Sequence, residues 1–211
     1  KKNRVAMLYS HDSKHALEFM PYANNGSQYM DTWIYSSLYK QNIECDVLSV
    51  DKEEMQDFSQ YDMLVIPPLY VATDALLKKI RDFVKNGGEV VMFLKSGYTD
   101  YDNAVRPVLA PGLLTDVCGF TYQEYSSINN LKLQPNDFGA KDNTVNKWME
   151  CLQLTTAKVL ATVDHQFFGK WPCITENAYG KGHLVYVGTV PSDELLYRLI
   201  VRSAERKGVA K

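Results

Sequence analysis

Ser96 is the residue whose position most resembles that of a catalytic nucleophile. It follows the apolar run GEVVMF, and in many α/β hydrolases a small nucleophile stands directly after such a strand. A nucleophile elbow has small residues two places to either side, so that the backbone can turn sharply into a helix. Here those places hold Leu94 and Tyr98, and Pro107 and Pro111 interrupt the segment where the helix should run. We therefore predict a plain turn at Ser96.

His11 and His15 have the i, i+4 spacing with which a helix can hold zinc. Asp12 stands where the zinc-binding HExxH motif has its glutamate base, and Glu18 is the only nearby candidate for a third ligand. Aspartate is a short substitute for that base. The segment directly follows the first predicted strand, and we interpret it as a polar loop at the carboxyl end of that strand, without a metal.

The other titratable residues form no catalytic motif. His165 and His183 are isolated, and the second begins a predicted strand. Glu124 and Glu176 also fall on predicted strands, but nothing in the sequence brings them to the roughly 5 Å separation of a retaining glycosidase pair. There is no GxGxxG motif after the first strand and no Walker A motif. We therefore predict no catalytic residue and no cofactor.

The composition is that of an ordinary globular protein. The 211 residues have a net charge of −2 and are 45% hydrophobic, so we expect no nucleic-acid partner and no membrane partner. The four cysteines form no CxxC motif and are expected to be buried thiols. The chain begins Lys1-Lys2 without a methionine, so we expect a part of a longer protein. A soluble, cytoplasmic chain is favoured, although an upstream signal peptide would not be visible here.

The first hundred residues alternate strands with helices. Met30, Trp33, Ile34 and Leu38 recur at helical spacing. Thr73 is placed to cap a further helix. The predicted elements are a strand at 4–10, a polar loop at 11–27 that could include a short turn of helix, a helix at 28–42, a strand at 44–50, a turn or short helix at 51–61, a strand at 62–67, a helix at 74–88 and a strand at 89–94. This βαβ pattern predicts an open, mostly parallel, flavodoxin-like sheet with helices on both faces.

The second half of the chain predicts an antiparallel extension of that sheet. Residues 111–120 are expected to form a short helix ending at Gly119, and Ser192 is expected to cap a closing helix at 192–208. Predicted strands lie at 121–127, 157–163, 172–178 and 183–188, with the last two joined as a hairpin. No linker or repeat divides residues 1–211, so we expect a single domain.

Three stretches together resemble a known family. They are VAMLYSHDSKHALE, VVMFLKSGYTDYDN followed by PGLLTDVCGFTYQEY, and PCITENAYGKGHLVYVGT. In this order and spacing they are similar to the middle, trimerisation domain of glycoside hydrolase family 42 β-galactosidases. The resemblance covers Arg4 to Gly208. The PGLLTDVCGF segment with its following acidic strand is the most specific part, whereas the YGKGHLVYVG hairpin is shared with related amidotransferase-like domains.

The resemblance implies a class I glutamine amidotransferase-like fold that lacks the amidotransferase cysteine, as position 96 is serine. In the family the catalytic glutamates lie in an upstream (β/α)₈ barrel, which is absent here, so no catalytic residue is carried over. The implied role is non-catalytic: to hold a homotrimer together and to wall the entrance of the active site. A galactoside substrate would meet only the barrel.

The expected interface or active-site-entrance residues lie on loops at the carboxyl ends of the strands and on the first helix. Ligand sites of open α/β sheets gather at those strand ends. The candidates are Ser10, His11, Trp33, Tyr35, Ser96, Tyr98 and Tyr101. Two alternatives remain open at this point. One is a stand-alone amidotransferase-like hydrolase that uses Ser96 or a cysteine, and the other is a sugar-binding module.

Overall fold

The computed structural model describes residues 2–19 and 29–210. Its strands are β1 (Val5–Tyr9), β2 (Cys45–Ser49), β3 (Met63–Ile66), β4 (Glu89–Phe93), β5 (Phe120–Thr121), β6 (Tyr125–Ser126), β7 (Leu131–Lys132), β8 (Thr144–Glu150), β9 (Gln153–Leu154), β10 (Lys158–Thr162), β11 (Pro172–Tyr179), β12 (Gly182–Val187) and β13 (Thr189–Pro191). Its α-helices are α1 (His11–Glu18), α2 (Asp31–Lys40), α3 (Asp74–Lys85), α4 (Thr115–Cys118) and α5 (Asp193–Arg206).

The main sheet has seven strands in the order β10-β11-β12-β4-β3-β1-β2. The five strands from β12 to β2 are parallel, and β11 and β10 extend the sheet antiparallel. This confirms the mostly parallel sheet with an antiparallel extension, and β11 and β12 form the predicted hairpin. Every residue of β3 and β4 is buried, as expected for parallel strands that are covered on both faces.

Helices cover both faces of the parallel strands, and alternate strand residues face opposite cores. On one face, Val65 of β3 packs with Ile34 of α2 and Leu199 of α5. On the other face, Leu64 packs with Ile80 of α3. The chain is thus a mixed α/β protein with one apolar core on each side of its main sheet. No helix among the described residues is both long and apolar enough to cross a membrane.

The helix ends follow their local sequence signals. The Thr73 hydroxyl accepts a hydrogen bond from the N–H of Leu76, and the Ser192 hydroxyl accepts one from Leu195, so both predicted caps are confirmed. Gly119 ends α4 with φ of 73°. A Cβ there would lie 2.6 Å from the backbone nitrogen of Ala157, so this position requires glycine.

Two predictions about elements need correction, and one long strand was missed. Residues 11–18, predicted as a polar loop with at most a short turn of helix, form the eight-residue helix α1, because the Ser10 hydroxyl accepts from the N–H of Ser13 and caps the helix. The rest of that loop, at 20–27, lies outside the described residues. The single strand predicted at 121–127 is two short strands, β5 and β6, which pair with different partners. Strand β8 was not predicted. It pairs with β13, β6 and β7 in a second sheet.

A buried charge network ties α5 to the amino end of the main sheet. The carboxylate of Glu89, at the start of β4, is 1% exposed and lies 3.1 Å from Nη1 of Arg206. Nη2 of Arg206 lies 2.6 Å from the carboxylate of Glu176 on β11. Burial raises the pKa of Glu89 to about 7, and the Arg206 charge opposes that rise. Arg206 therefore neutralises two carboxylates from two strands and fixes the end of α5 against the sheet.

Candidate functional site

The carboxyl ends of the parallel strands meet at one edge of the sheet, where β4 ends in a sharp turn. Lys95 adopts a left-handed backbone with φ of 59°, and Gly97 follows with φ of 73°. Lys95 lies two residues after the end of β4. A non-glycine residue with a left-handed backbone close to the end of a strand is the geometry that a nucleophile elbow uses to present its catalytic side chain. The turn is therefore centred on Lys95, one residue before the serine on which the sequence focused.

Ser96 is fully buried, and its hydroxyl serves the turn. Its Oγ donates to the carbonyl of Phe93 at 2.7 Å and accepts from the N–H of Leu69 at 3.1 Å. Both bonds stay within the chain, and they join the end of β4 to the segment after β3. No histidine takes part in these contacts. This geometry agrees with the interpretation of Ser96 as a structural turn residue and does not provide a base-activated nucleophile.

A buried carboxylate, Glu150, lies beside the turn. It ends β8, is fully buried, and accepts from the backbone N–H of Lys95 at 2.7 Å through Oε1. The hydroxyl of Tyr186 donates to Oε2 at 2.7 Å, and the indole of Trp148 lies 3.4 Å from Oε1. Burial raises the pKa of Glu150 to about 7, and the hydrogen bonds from Tyr186 and Lys95 partly oppose this effect.

The side chain of Lys95 is buried next to this carboxylate. Its Nζ lies 4.0 Å from the centroid of the Trp148 ring, within the range of a cation–π contact. Burial lowers the pKa of Lys95 to about 8, and the charge of Glu150 acts in the opposite direction. An amine and a carboxylate, both with perturbed pKa values, thus lie against the same side chain, Trp148, at the strand ends. Such a pair marks either a functional site or a structural ion pair.

Aromatic rings close over this pair. Tyr125 stacks on Trp148 with ring centroids 4.5 Å apart, and Tyr98 stacks on Tyr70 at 5.6 Å. Tyr122 is also buried, and its hydroxyl lies beside the carboxylate of Glu150 and the hydroxyl of Tyr186. These rings keep water away from Glu150, which explains the raised pKa of the carboxyl. The cluster joins the second sheet, through β8, to the turn after β4.

The cysteines do not supply an alternative nucleophile. Cys118 and Cys173 are fully buried, and burial raises the pKa of both thiols, to about 12 for Cys173. Burial also raises the pKa of Cys45 to about 12 and that of Cys151 above its usual value. The reactive form of a cysteine is the thiolate. These four environments all disfavour it.

The sequence-selected surface candidates are spread over two parts of the strand-end edge. Ser10 is buried, and its hydroxyl donates to Asp51. His11 begins α1 and is exposed. The Trp33 indole donates to the carboxylate of Asp193 and thereby links α2 to α5, whereas Tyr35 is exposed on α2.

The other candidates follow the turn after β4. Tyr98 is half-buried against Tyr70, and Tyr101 is 69% exposed. Of the two carboxylates weighed as a glycosidase pair, Glu124 is exposed, and Glu176 is bound to Arg202 and Arg206. Within residues 2–19 and 29–210, no three His, Cys, Asp or Glu side chains are grouped to hold a metal ion.

Sequence reasoning missed Glu150 and Lys95. One signal was available for the first of them. Glu150 is the only charged residue in the run WMECL, and a lone carboxylate among apolar residues indicates a buried, partnered side chain. Lys95 carried no comparable signal, because its burial depends on Trp148 from a distant strand.

Comparison with known proteins identifies the family. Residues 3–210 match a family model described as the β-galactosidase trimerisation domain. The chain is 32% identical over 193 residues to the β-galactosidase LacZ of Lactobacillus acidophilus and 31% identical over 204 residues to the β-galactosidase BgaB of a Geobacillus species. It spans 28% and 29% of those two proteins, respectively, so it corresponds to less than a third of their length.

Solved structures of β-galactosidases have the same fold over the region that this chain matches. The β-galactosidase from Bacillus circulans sp. alkalophilus superposes with a TM-score of 0.86 at 25% identity, over 99% of this chain and 31% of that one. The β-galactosidase from the haloarchaeon Halorubrum lacusprofundi does so with a TM-score of 0.84 at 25% identity, over 99% of this chain and 31% of that one. Because the family model matches nearly its whole length, the chain belongs to the family of β-galactosidase trimerisation domains.

Proposed function

We propose that this chain is a single, non-catalytic assembly domain that holds a β-galactosidase together as a homotrimer. The match of residues 3–210 to a β-galactosidase trimerisation domain carries the proposal. The relatives are more than three times as long as the matched region. Their remaining length would accommodate a (β/α)₈ barrel with the catalytic glutamates, and terminal β-galactosides would be hydrolysed there.

We also propose that the fold is flavodoxin-like, of the class I glutamine amidotransferase-like type. The parallel strands follow the order β2-β1-β3-β4-β12, which corresponds to the 2-1-3-4-5 order of flavodoxin-like sheets. The left-handed residue two positions after the end of β4 supports an elbow of the amidotransferase kind. Because a lysine occupies the elbow, this relationship is one of architecture and does not extend to amidotransferase chemistry.

The best-supported surface for assembly is the apolar loop, which we define as residues 101–113. This segment exposes five large apolar side chains within thirteen residues, which are Tyr101, Val105, Val108, Leu109 and Leu113. Tyr101 and Val105 are 69% and 62% exposed. A concentration of exposed apolar side chains of this kind is typical of a protein interface. Ser10 and Ser96 are buried and do not belong to the proposed surface.

The apolar loop is held in a fixed conformation. The side chain of Arg106 bonds to the carboxylate of Asp74 at 2.6 Å and to the carbonyl of Ala72 at 2.7 Å. The carboxylate of Asp100 accepts from the backbone N–H groups of Asp102 and Ala104, each at 3.0 Å. A surface that is ordered before binding loses less conformational entropy on association, which favours a stable contact.

A closed trimer requires two different patches on each copy, because a ring with threefold symmetry is built from head-to-tail contacts. We propose the exposed face of α2 as the second patch. Tyr35 and Tyr39 lie one turn apart on this helix and are 42% and 75% exposed. The apolar loop of one copy would then contact the α2 face of the next.

The oligomeric mass of the purified chain tests assembly. Light scattering after size-exclusion chromatography is expected to give three times 24.0 kDa. Val105→Asp combined with Leu109→Asp is expected to give a monomer, because burying unpaired carboxylates in an interface is unfavourable. Val159→Asp, at an exposed valine on β10 outside the loop, is the matched control and should remain trimeric. A monomeric wild-type chain would contradict assembly by this domain, whereas a trimeric loop variant would contradict only the choice of surface.

A mixing experiment tests the head-to-tail arrangement. Tyr39→Asp alone should also be monomeric if the α2 face is the second patch. When this variant is mixed with the loop variant, one intact loop can meet one intact α2 face, so a heterodimer is expected. A mixture that stays monomeric would reject this pairing of surfaces. Calorimetry of the same chain with galactosides addresses the sugar-binding alternative, for which saturable heat would be required.

A further inference from the structure

We propose that His11 and His15 form a two-histidine chelate for a divalent transition-metal ion such as Zn²⁺. The sequence argued against a metal here because the segment was expected to be a loop and because Glu18 was the only nearby candidate for a third ligand. In the structure it is α1, an eight-residue helix, so the two imidazoles project from one face one turn apart. Both histidines are exposed on α1, so this site does not include the buried Lys95 or Glu150.

The geometry of the two rings fits chelation. The Nε2 atoms of His11 and His15 are 2.9 Å apart. Zinc–imidazole bonds are about 2.0–2.1 Å long, so two nitrogens on one ion at angles of 90–110° are separated by roughly 2.9–3.4 Å. The observed separation is at the short end of this range. In the structure the two nitrogens share a hydrogen bond, and a metal ion would take the place of its proton.

A neighbouring carboxylate lies beside the second ring and can hold its far nitrogen. Nδ1 of His15 lies 3.4 Å from a carboxylate oxygen of Glu18. With its proton on Nδ1, His15 leaves the lone pair of Nε2 free to face His11. A carboxylate that holds the far nitrogen of a ligating histidine is a recurrent part of metal sites, because it fixes the tautomer and the ring orientation.

Hydrogen bonds fix the amino end of α1, so the chelating geometry is preorganised for a metal ion. Both carboxylate oxygens of Asp51 accept hydrogen bonds here, one from the Ser10 hydroxyl at 2.9 Å and one from the His11 N–H at 2.6 Å. The Ser13 hydroxyl donates to the carbonyl of Val71 and accepts from its N–H, both at 3.0 Å. These bonds hold α1 against the sheet and the loop after β3.

The ligand set selects the class of metal. Two imidazole nitrogens suit zinc, copper and nickel, whereas magnesium and calcium prefer oxygen ligands. Two protein ligands leave the remaining coordination positions to water, so the ion would exchange freely and could accept a further ligand. Because imidazole must be deprotonated to bind a metal, the affinity is expected to fall on acidification.

Calorimetric titration of the chain with ZnCl₂, without a polyhistidine tag and under reducing conditions, tests the site. We expect one Zn²⁺ per chain, no binding of Mg²⁺ from MgCl₂, and affinity at least about tenfold weaker in His11→Gln and in His15→Gln, because either variant abolishes the chelate. His165→Asn is the matched control, because it removes another exposed histidine. The asparagine keeps an acceptor for the backbone N–H groups of Phe167 and Phe168, which donate to His165. It should bind as the wild type does.

Two further readings make the result decisive. Electron paramagnetic resonance of the Cu²⁺-loaded chain should show two coordinated nitrogens in the wild type and one in each histidine variant. Circular dichroism of the variants should show an unchanged helix content. Zinc binding that is unaltered in both variants, or absent from the wild type at millimolar ZnCl₂, would overturn the proposal.

Discussion

Replacing Glu150 by glutamine separates the shape of the buried side chain from its charge. Burial raises the folded-state pKa of Glu150 from 4.5 to about 7. A group with a raised folded pKa contributes stability that is fully present below its unfolded pKa, here near pH 4.5, and this stability is lost as the pH rises through about 7. The shift corresponds to about 3 kcal/mol of unfolding free energy.

Glutamine keeps an acceptor for the backbone N–H of Lys95 but does not ionise. We therefore compare the unfolding free energies of Glu150→Gln and the wild type at each pH. Their difference is expected to shift in favour of the variant by up to about 3 kcal/mol as the pH rises from 4.5 to 7.5. This figure is an upper bound, because the Glu150 charge also stabilises the ammonium of Lys95. At pH 4.5, where both side chains are neutral, the two proteins should differ little.

Urea unfolding followed by tryptophan fluorescence, at one protein concentration and several pH values, measures this difference. Taking the difference at each pH cancels the contribution of Glu89, whose pKa is also raised to about 7. Glu124→Gln changes an exposed carboxylate and should give a nearly constant difference. If the Glu150→Gln difference is constant from pH 4.5 to 7.5, or moves in favour of the wild type, the argument from burial is refuted.

Three further changes test the charge network, the turn and the hairpin. Arg206→Met removes the counter-charge of the buried Glu89 carboxylate and should lower stability by about 3 kcal/mol at pH 8. Urea unfolding should show a smaller loss at pH 5, where Glu89 is protonated, and equal losses would contradict this account. Ser96→Ala leaves a buried N–H without an acceptor, so thermal unfolding should reveal a loss of about 1–3 kcal/mol with the oligomeric mass unchanged. A Cβ at Gly182 would lie 2.2 Å from two backbone carbonyl oxygens, so Gly182→Ala should lower Tm by more than about 10 °C or prevent folding. Gly139→Ala, with no atom within 4 Å, should lose only about 1–2 kcal/mol, and similar Tm losses in the two variants would argue against the clash.

Elements with local signals could be predicted from the sequence. Helix α3 begins at the Thr73 cap and ends before Gly87-Gly88, and α5 begins after the Ser192 cap. The apolar strands β3 and β4 stand out because both faces of the sheet are covered. In each case the information lies within a dozen neighbouring residues. The mostly parallel sheet follows from the order of such elements.

The candidate site could not be predicted, because distant segments create it. Strand β8 contains Lys147 with φ of 67°, and its pairing with β13 shifts register, so its side chains do not alternate regularly. Glu150 is buried only because Tyr186 and the Lys95 turn reach it from other strands. Helix α1 is polar in composition and depends on bonds from Asp51 and Val71. Hydrophobic periodicity cannot report such contacts.

The position of β12 has a consequence for how the chain folds. It lies between β4 and β11 and pairs with β4 over five residues, although about ninety residues of sequence separate the two strands. During synthesis, β4 therefore leaves the ribosome with one edge unpaired. Its partner on that edge, β12, is synthesised only several seconds later.

The waiting edge is the strand EVVMF, in which four of the five residues are apolar and all five are buried in the finished protein. An exposed apolar edge can pair with another chain, so a fragment ending near residue 110 should aggregate. The long sequence separation also raises the contact order, which predicts slow folding. The hairpin of β11 and β12 thus completes the sheet last. A high yield of folded protein therefore requires that the free edge of β4 be protected from pairing with other chains during synthesis.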